Sequence, residues 1–176
     1  MTTKDTAPAI IWPEKYLPGT TDNYVSNEVI VKGISTARIW AQLVNITKWE
    51  SYYDNVSEIT PPNSGPKLKK GDDFSFSTFG FPPLQCRCEE SIEPSTGKVG
   101  RLAWSAKQDG SKAEALDVYH AWLVEDLGDG RVRILTQESQ IGDPAAQLAG
   151  KKPNPMLNGH QDWLDGLVKT ARDSEQ

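Results

Sequence analysis

Residues 120–139 read HAWLVEDLGDGRVRILTQES, and the phase of this stretch decides the fold. A Gly-Asp-Gly turn at 128–130, expected as a three-residue loop of glycines able to take positive φ, folds it into a hairpin. If Leu127 pairs with Arg131, then Val124 lies opposite Ile134, Trp122 opposite Thr136 and His120 opposite Glu138. One face therefore carries Trp122, Val124, Val132 and Ile134, but also an imidazole and a carboxylate. A slip of one residue would turn all of them to the other side.

Outward from the hairpin, the chain reads as strands with one apolar and one polar face, the pattern of an antiparallel sheet that is solvated outside. LQCRCEESI at 84–92 puts Leu84, Cys86, Cys88 and Ile92 on one face and Gln85, Arg87 and Glu89 on the other. GRLAWSAK at 100–107 sets Leu102, Trp104 and Ala106 against Arg101 and Lys107, and DFSFSTF at 73–79 places Phe74 and Phe76 together. VSEIT at 56–60 precedes a Pro/Gly-rich loop, and NYVSNEVIVKG from Asn23 is a first strand with Val25, Val29 and Val31 in phase.

Two stretches change period. After the first strand, Ser35 or Thr36 caps a helix with Ile39, Trp40, Leu43 and Val44 at helical spacing, and a second short turn brings Trp49, Tyr52 and Tyr53 together. Near the end, Asn154 is the N-cap and Pro155 the first residue of a long helix running to about Arg172. Its stripe is Met156, His160, Trp163, Leu164, Leu167 and Ala171, and the apolar face of the sheet is the surface it covers. Residues 1–21 form an extended arm with Ile10, Ile11 and Trp12 as anchors, and residues 142–155 a Gly/Pro-rich link. Gly159 and Gly166 flank the helical stripe, where they either permit a close approach or are merely tolerated.

At 176 residues the chain fits a single domain, here residues 22–173. With 37% hydrophobic and 24% charged residues it has the composition of a globular protein. The net charge of -5 and the absence of a basic cluster beyond KLKK at 67–70 argue against nucleic acid as a partner. No run is long and apolar enough to span a membrane, and the first residues lack the pattern of a secretory signal. Cys86 and Cys88 would stand about 6.5–7 Å apart along one strand, too far for a good disulfide, so a reduced, cytoplasmic protein is expected. With His120 they would make a poor metal set, lacking a fourth donor, so no metal and no cofactor is expected. The sequence leaves the oligomeric state open, a homodimer included.

Three segments, EVIVKGISTARIWAQLVNITKWESYYDNV, the hairpin, and DWLDGLVKTA, stand in the order strand, two short helices, antiparallel run, long C-terminal helix. This order, over Asn23 to Arg172, resembles the START-related helix-grip superfamily, SRPBCC, with its polyketide cyclase-like, pollen-allergen-like and Hsp90-activator-like branches. The resemblance implies an α+β helix-grip fold of six to seven strands, curved around the last helix. It also implies a cavity between the two for a lipid- or polyketide-like hydrophobic molecule. The superfamily carries no universal catalytic motif, so only positions transfer. Those facing the cavity are then Trp49, Tyr52, Phe74, Phe76, Cys88, Trp104, Trp122, Thr136, His160, Trp163 and Leu164, although core packing would use the same side chains. His120 and Glu138 are the candidate acid–base pair for cofactor-free cyclase, dehydratase or isomerase chemistry. The alternative for the pair is a satisfied buried contact that fixes register. The alternative for the whole chain is a protein-interaction module of the Hsp90-activator-like kind.

Overall fold

The computed structural model describes residues 6–174. Seven strands form one antiparallel sheet: β1 (Asn23–Lys32), β2 (Val56–Thr60), β3 (Asp73–Thr78), β4 (Leu84–Ile92), β5 (Gly100–Gln108), β6 (Leu116–Gly128) and β7 (Arg131–Ile141). Their spatial order is β1-β7-β6-β5-β4-β3-β2, so the last hairpin lies inside the sheet, flanked by β1 and β5, and the first strand returns to pair with β7. Helix α1 (Thr36–Val44) and a 3-10 turn (Ile46–Ser51) connect the two edge strands, and α3 (Pro155–Asp173) lies across the inner face. This is the helix-grip arrangement.

Local chemistry accounts for the boundaries. Ser35 caps α1 by accepting from the Arg38 N–H at 3.2 Å. Asn154 caps α3 by accepting from the Met156 N–H at 3.0 Å, with Pro155 in the first turn where a missing N–H costs nothing. The buried residues of α3 are Met156, His160, Trp163, Leu164, Leu167 and Ala171, the stripe expected from periodicity. Gly166 serves close approach: a Cβ there would stand 2.1 Å from the Tyr52 carbonyl oxygen.

Four expectations need correction. The central hairpin keeps the predicted pairs His120–Glu138, Trp122–Thr136 and Val124–Ile134, but Gly128, not Leu127, pairs with Arg131. The turn is thus the two-residue Asp129-Gly130, both at positive φ (56° and 73°), and the irregularity between Asp126 and Gly128 absorbs the extra residue. In β4 a bulge between Cys88 and Glu90 shifts the phase, so Ile92 pairs with Arg101 and leaves the inner face while Ser91 pairs with Leu102. The link at 142–155 contains a further helix, α2 (Asp143–Ala149), which buries Pro144, Ala145 and Leu148.

The fourth correction concerns the outer face, which is not uniformly wet. Ala103, Tyr119 and Ala121 point away from α3 yet are buried, because the N-terminal segment crosses them. Tyr16 stacks on Tyr119 at 5.3 Å, Trp12 leans on the same ring at 5.8 Å, and Ile10 packs beside them. Arg101 and Arg133 donate to the carbonyls of Ala9 and Pro8, and Lys15 and Tyr16 both bond Asp117. Ile11 is 62% exposed and anchors nothing, whereas Tyr16 holds the segment down.

Candidate functional site

The inner face of the sheet and the stripe of α3 enclose a layer of rings. Trp49, Trp104, Trp122 and Trp163 are each at most 2% exposed and meet one another with ring centres 5.1–6.2 Å apart. Phe74 and Phe76 pack edge-on against Trp49 and Trp104. Cys88 and Leu164 join the same core. Tyr52 lies against its edge, and its hydroxyl donates to the Gln42 carbonyl at 3.0 Å. Cross-strand pairing puts the ring-bearing residues on one side, and the turn of Ile46–Ser51 swings Trp49 under them, its indole N–H bonded to the Leu43 carbonyl at 2.8 Å.

Within this apolar layer sits a polar cluster. His120 on β6 faces Glu138 on β7, with Nδ1 3.1 Å from Oε1. Its Nε2 lies 2.7 Å from the Thr136 hydroxyl, which is itself 3.3 Å from the Ala121 carbonyl oxygen. Two arrangements fit these distances: Nε2–H donating to Thr136 with the Nδ1 lone pair facing the carboxyl group, or Thr136 donating to Nε2 with Nδ1–H facing it. In both, one proton lies between Nδ1 and Oε1, carried by the carboxyl group in the first and by the ring in the second. From α3, His160 lays its ring on that of His120, with centres 4.6 Å apart and planes 17° from parallel. Its Nδ1 is buried with no hydrogen-bond partner.

Burial sets the protonation states. It drives the His120 imidazole down to about 3 and, with the neighbouring His120 as a smaller contribution, does the same to His160. It drives Glu138 up to about 7, opposed by His160 and by the amide of Gln140. Near neutral pH both rings are therefore uncharged and the carboxyl group is poised between its two forms. Burial also pushes the thiol of Cys88 up to about 12 and that of Cys86 higher still, so neither is a nucleophile.

The second carboxyl oxygen of Glu138 accepts from Gln140 Nε2 at 2.8 Å. Gln140 accepts in turn from Asn23 at 3.0 Å, and Asn23 accepts from Asn154, the cap of α3, at 2.8 Å. This buried amide chain ties the carboxyl group to β1 and to the start of the helix. Sequence reasoning missed it, although Asn23 on the buried phase of an apolar strand was its visible trace.

The sequence-derived pair His120–Glu138 and His160 come together with Thr136, Trp122 and Trp163 around them. Cys86 and Cys88 do not join His120 as a ligand set. The donors of His120, Glu138 and His160 all lie within 4.8 Å of one another, the one grouping among the described residues able to hold a metal ion. Phe79 closes one end, its ring 6.0 Å from His160 and resting on Gly159, where a Cβ would come within 2.6 Å of the ring. Phe79 has φ +53°, and its N–H donates to Asn55, which donates to the Tyr53 hydroxyl. Phe79 also lines a surface cavity of about 340 Å³, together with Phe81, Glu114, Leu148 and Lys151 among others.

No helix among the described residues is long and apolar enough to cross a membrane. No protein-family model and no curated protein matches the chain. Solved structures do. Hypothetical protein jhp0584 from Helicobacter pylori is 48% identical, over 96% of this chain and 99% of that one, with a TM-score of 0.91. A norcoclaurine synthase point mutant of Thalictrum flavumn, solved with a transition-state analogue, is 10% identical over 88% of this chain and 96% of its own, with a TM-score of 0.60. The di-domain ARO/CYC BexL is 9% identical over 82% of this chain and 45% of its own, with a TM-score of 0.56. At such identities the last two speak for the fold alone. The chain belongs to one family with the Helicobacter pylori protein jhp0584, and that family is built on the START-related helix-grip fold.

Proposed function

We propose that the chain binds a small hydrophobic or aromatic molecule between the sheet and α3, at the end closed by Phe79, and transfers a proton to or from it without a cofactor. The observation that carries this reading is the His120–Glu138 contact buried in a layer of indoles with His160 stacked upon it. A carboxyl group poised near neutral pH beside an uncharged imidazole has the properties of a general acid–base, and an apolar surround strengthens its interaction with a ligand carbonyl. Cyclase, dehydratase and isomerase steps on polyketide-like molecules are the chemistry such a pair serves. That a synthase and an aromatase/cyclase share the fold is consistent with this reading. The free, buried Cys86 and Cys88 fit a reducing, cytoplasmic setting.

The test is a melting-temperature screen with polycyclic aromatics, aromatic ketones and fatty acids, since a ligand bound only to the native state stabilises it. A saturable rise that is lost in Phe79→Trp, which enlarges the plug, supports the reading. No rise with any class overturns it. For the proton transfer, Glu138→Gln with unchanged turnover of a bound ketone would remove the acid–base role.

A further inference from the structure

Thr136 occupies the far nitrogen of His120 at 2.7 Å and leaves Nδ1 facing the Glu138 carboxyl group at 3.1 Å. A second lone-pair-capable nitrogen, His160 Nδ1, is buried beside it with nothing to bond. The donor atoms of His120, Glu138 and His160 lie within 4.8 Å of one another, so a cation larger than a proton can engage all three side chains at once. We propose that His120, Glu138 and His160 form a binding site for one divalent transition-metal ion of the zinc or cobalt class.

The donor set is two neutral imidazoles and one carboxylate, which suits a borderline ion and leaves positions open for water or an outside ligand. Each of two donors is already held from behind. Thr136 hydrogen-bonds the far nitrogen of His120, and Gln140 donates to the far oxygen of Glu138, the outer contacts that orient ligating side chains in metal sites.

Distances allow the closure. Two donors each about 2.1 Å from an ion stand at most about 4.2 Å apart, and the three donors here lie within 4.8 Å. The remaining adjustment is a turn of His160, because nearly parallel stacked rings direct their in-plane lone pairs side by side rather than at one point. That turn breaks no bond at Nδ1, which has none. The ion takes the place of the proton between His120 and Glu138, so ion binding and proton transfer are alternative states of the same cluster. Ion binding itself does not rest on the apolar-ligand reading.

The experiment uses the full chain, stripped with a chelator, dialysed against Co²⁺, desalted, and measured for metal per chain and for visible d–d absorption, followed by displacement with Zn²⁺. The expected result is about one ion per chain with a low-symmetry Co²⁺ spectrum. His160→Gln, which forfeits no hydrogen bond and whose folding circular dichroism checks, lowers affinity more than tenfold. Thr136→Val, acting only through His120, weakens it by roughly 10–100-fold. Asp73→Asn, on the outer surface, leaves it unchanged. Failure to retain Co²⁺, or equal retention by wild type and a folded His160→Gln, overturns the proposal. Stabilisation by an apolar ligand is read separately on the ion-free protein, so either claim can fall while the other stands.

Discussion

Glu138 is a carboxyl group largely withdrawn from water, with 8% of its surface exposed, and the residues around it determine what it can do. Thr136 is fully buried and its hydroxyl is the hydrogen-bond partner of His120 Nε2. Thr136→Val keeps the shape and removes that partner, so the protein should lose about 1–3 kcal/mol in urea denaturation. In the same variant, His120 should lose its tautomeric preference in ¹⁵N spectra. The phase of His120 and Glu138 was legible in the sequence, because opposite residues of a hairpin share a face and the ladder holds from Val124 to His120. The arrival of His160 was not. Periodicity placed it on the buried stripe of α3, but which part of the sheet lay beneath it depends on how α3 docks, and no local pattern encodes that.

Among the elements, α3 is fixed by two glycines as much as by its apolar stripe. Gly166→Ala raises helix propensity by about 1 kcal/mol. The added methyl group, however, would meet a backbone oxygen at 2.1 Å, and overpacking of that kind costs about 1–3 kcal/mol. Net destabilisation is expected, with a lowered denaturant midpoint at unchanged m-value. A gain in stability would show that the Tyr52 loop yields freely.

Strand and helix positions were readable here wherever apolar spacing was regular. Besides the one-residue shift at the hairpin turn, where Gly128 rather than Leu127 pairs with Arg131, they failed at three places for separate physical reasons. A bulge at Cys88/Glu90 inverted the end of β4 without any Gly or Pro to mark it. Helix α2, at seven residues, is too short for its periodicity to stand out between Gly142 and Gly150. The outer face of β6 was expected to be wet because the cover it receives comes from residues more than a hundred positions away, Trp12 and Tyr16 on Tyr119.

For the whole molecule, the cluster makes stability depend on pH in a way that separates its members. An unfolded histidine titrates near 6.5, while His120 and His160 in the fold resist protonation to about 3. Below 6.5 the unfolded chain therefore takes up two protons that the fold refuses, and stability falls with acidification. Glu138 acts in the opposite sense. Its folded value, about 7, exceeds the 4.5 of the unfolded chain, so its contribution is present below 4.5 and lost as pH rises through 7. Two histidines outweigh one carboxyl group between 4.5 and 6.5, and Glu138 alone acts between 6.5 and 7. Nearby Tyr53 and Cys86 stay neutral throughout, both pushed up by burial.

In the presence of a chelator, the melting temperature should peak near pH 6.5. His160→Gln should flatten the acid limb, and Glu138→Gln should remove the decline above the peak. An acid limb of equal slope in His160→Gln would show that His160 charges freely in the fold.

The central claim is that a small apolar molecule is held at the His120–Glu138 cluster inside the grip of α3. Side-chain NMR during titration with the best stabilising ligand tests it most directly. The imidazole signals of His120 and His160 and the indole N–H signals of Trp122 and Trp163 should shift together and saturate at one equivalent. If these four stay still while ligand binds, or if the signals that move belong to Trp12 and Tyr24 on the outer face, the molecule is bound elsewhere and the account is wrong.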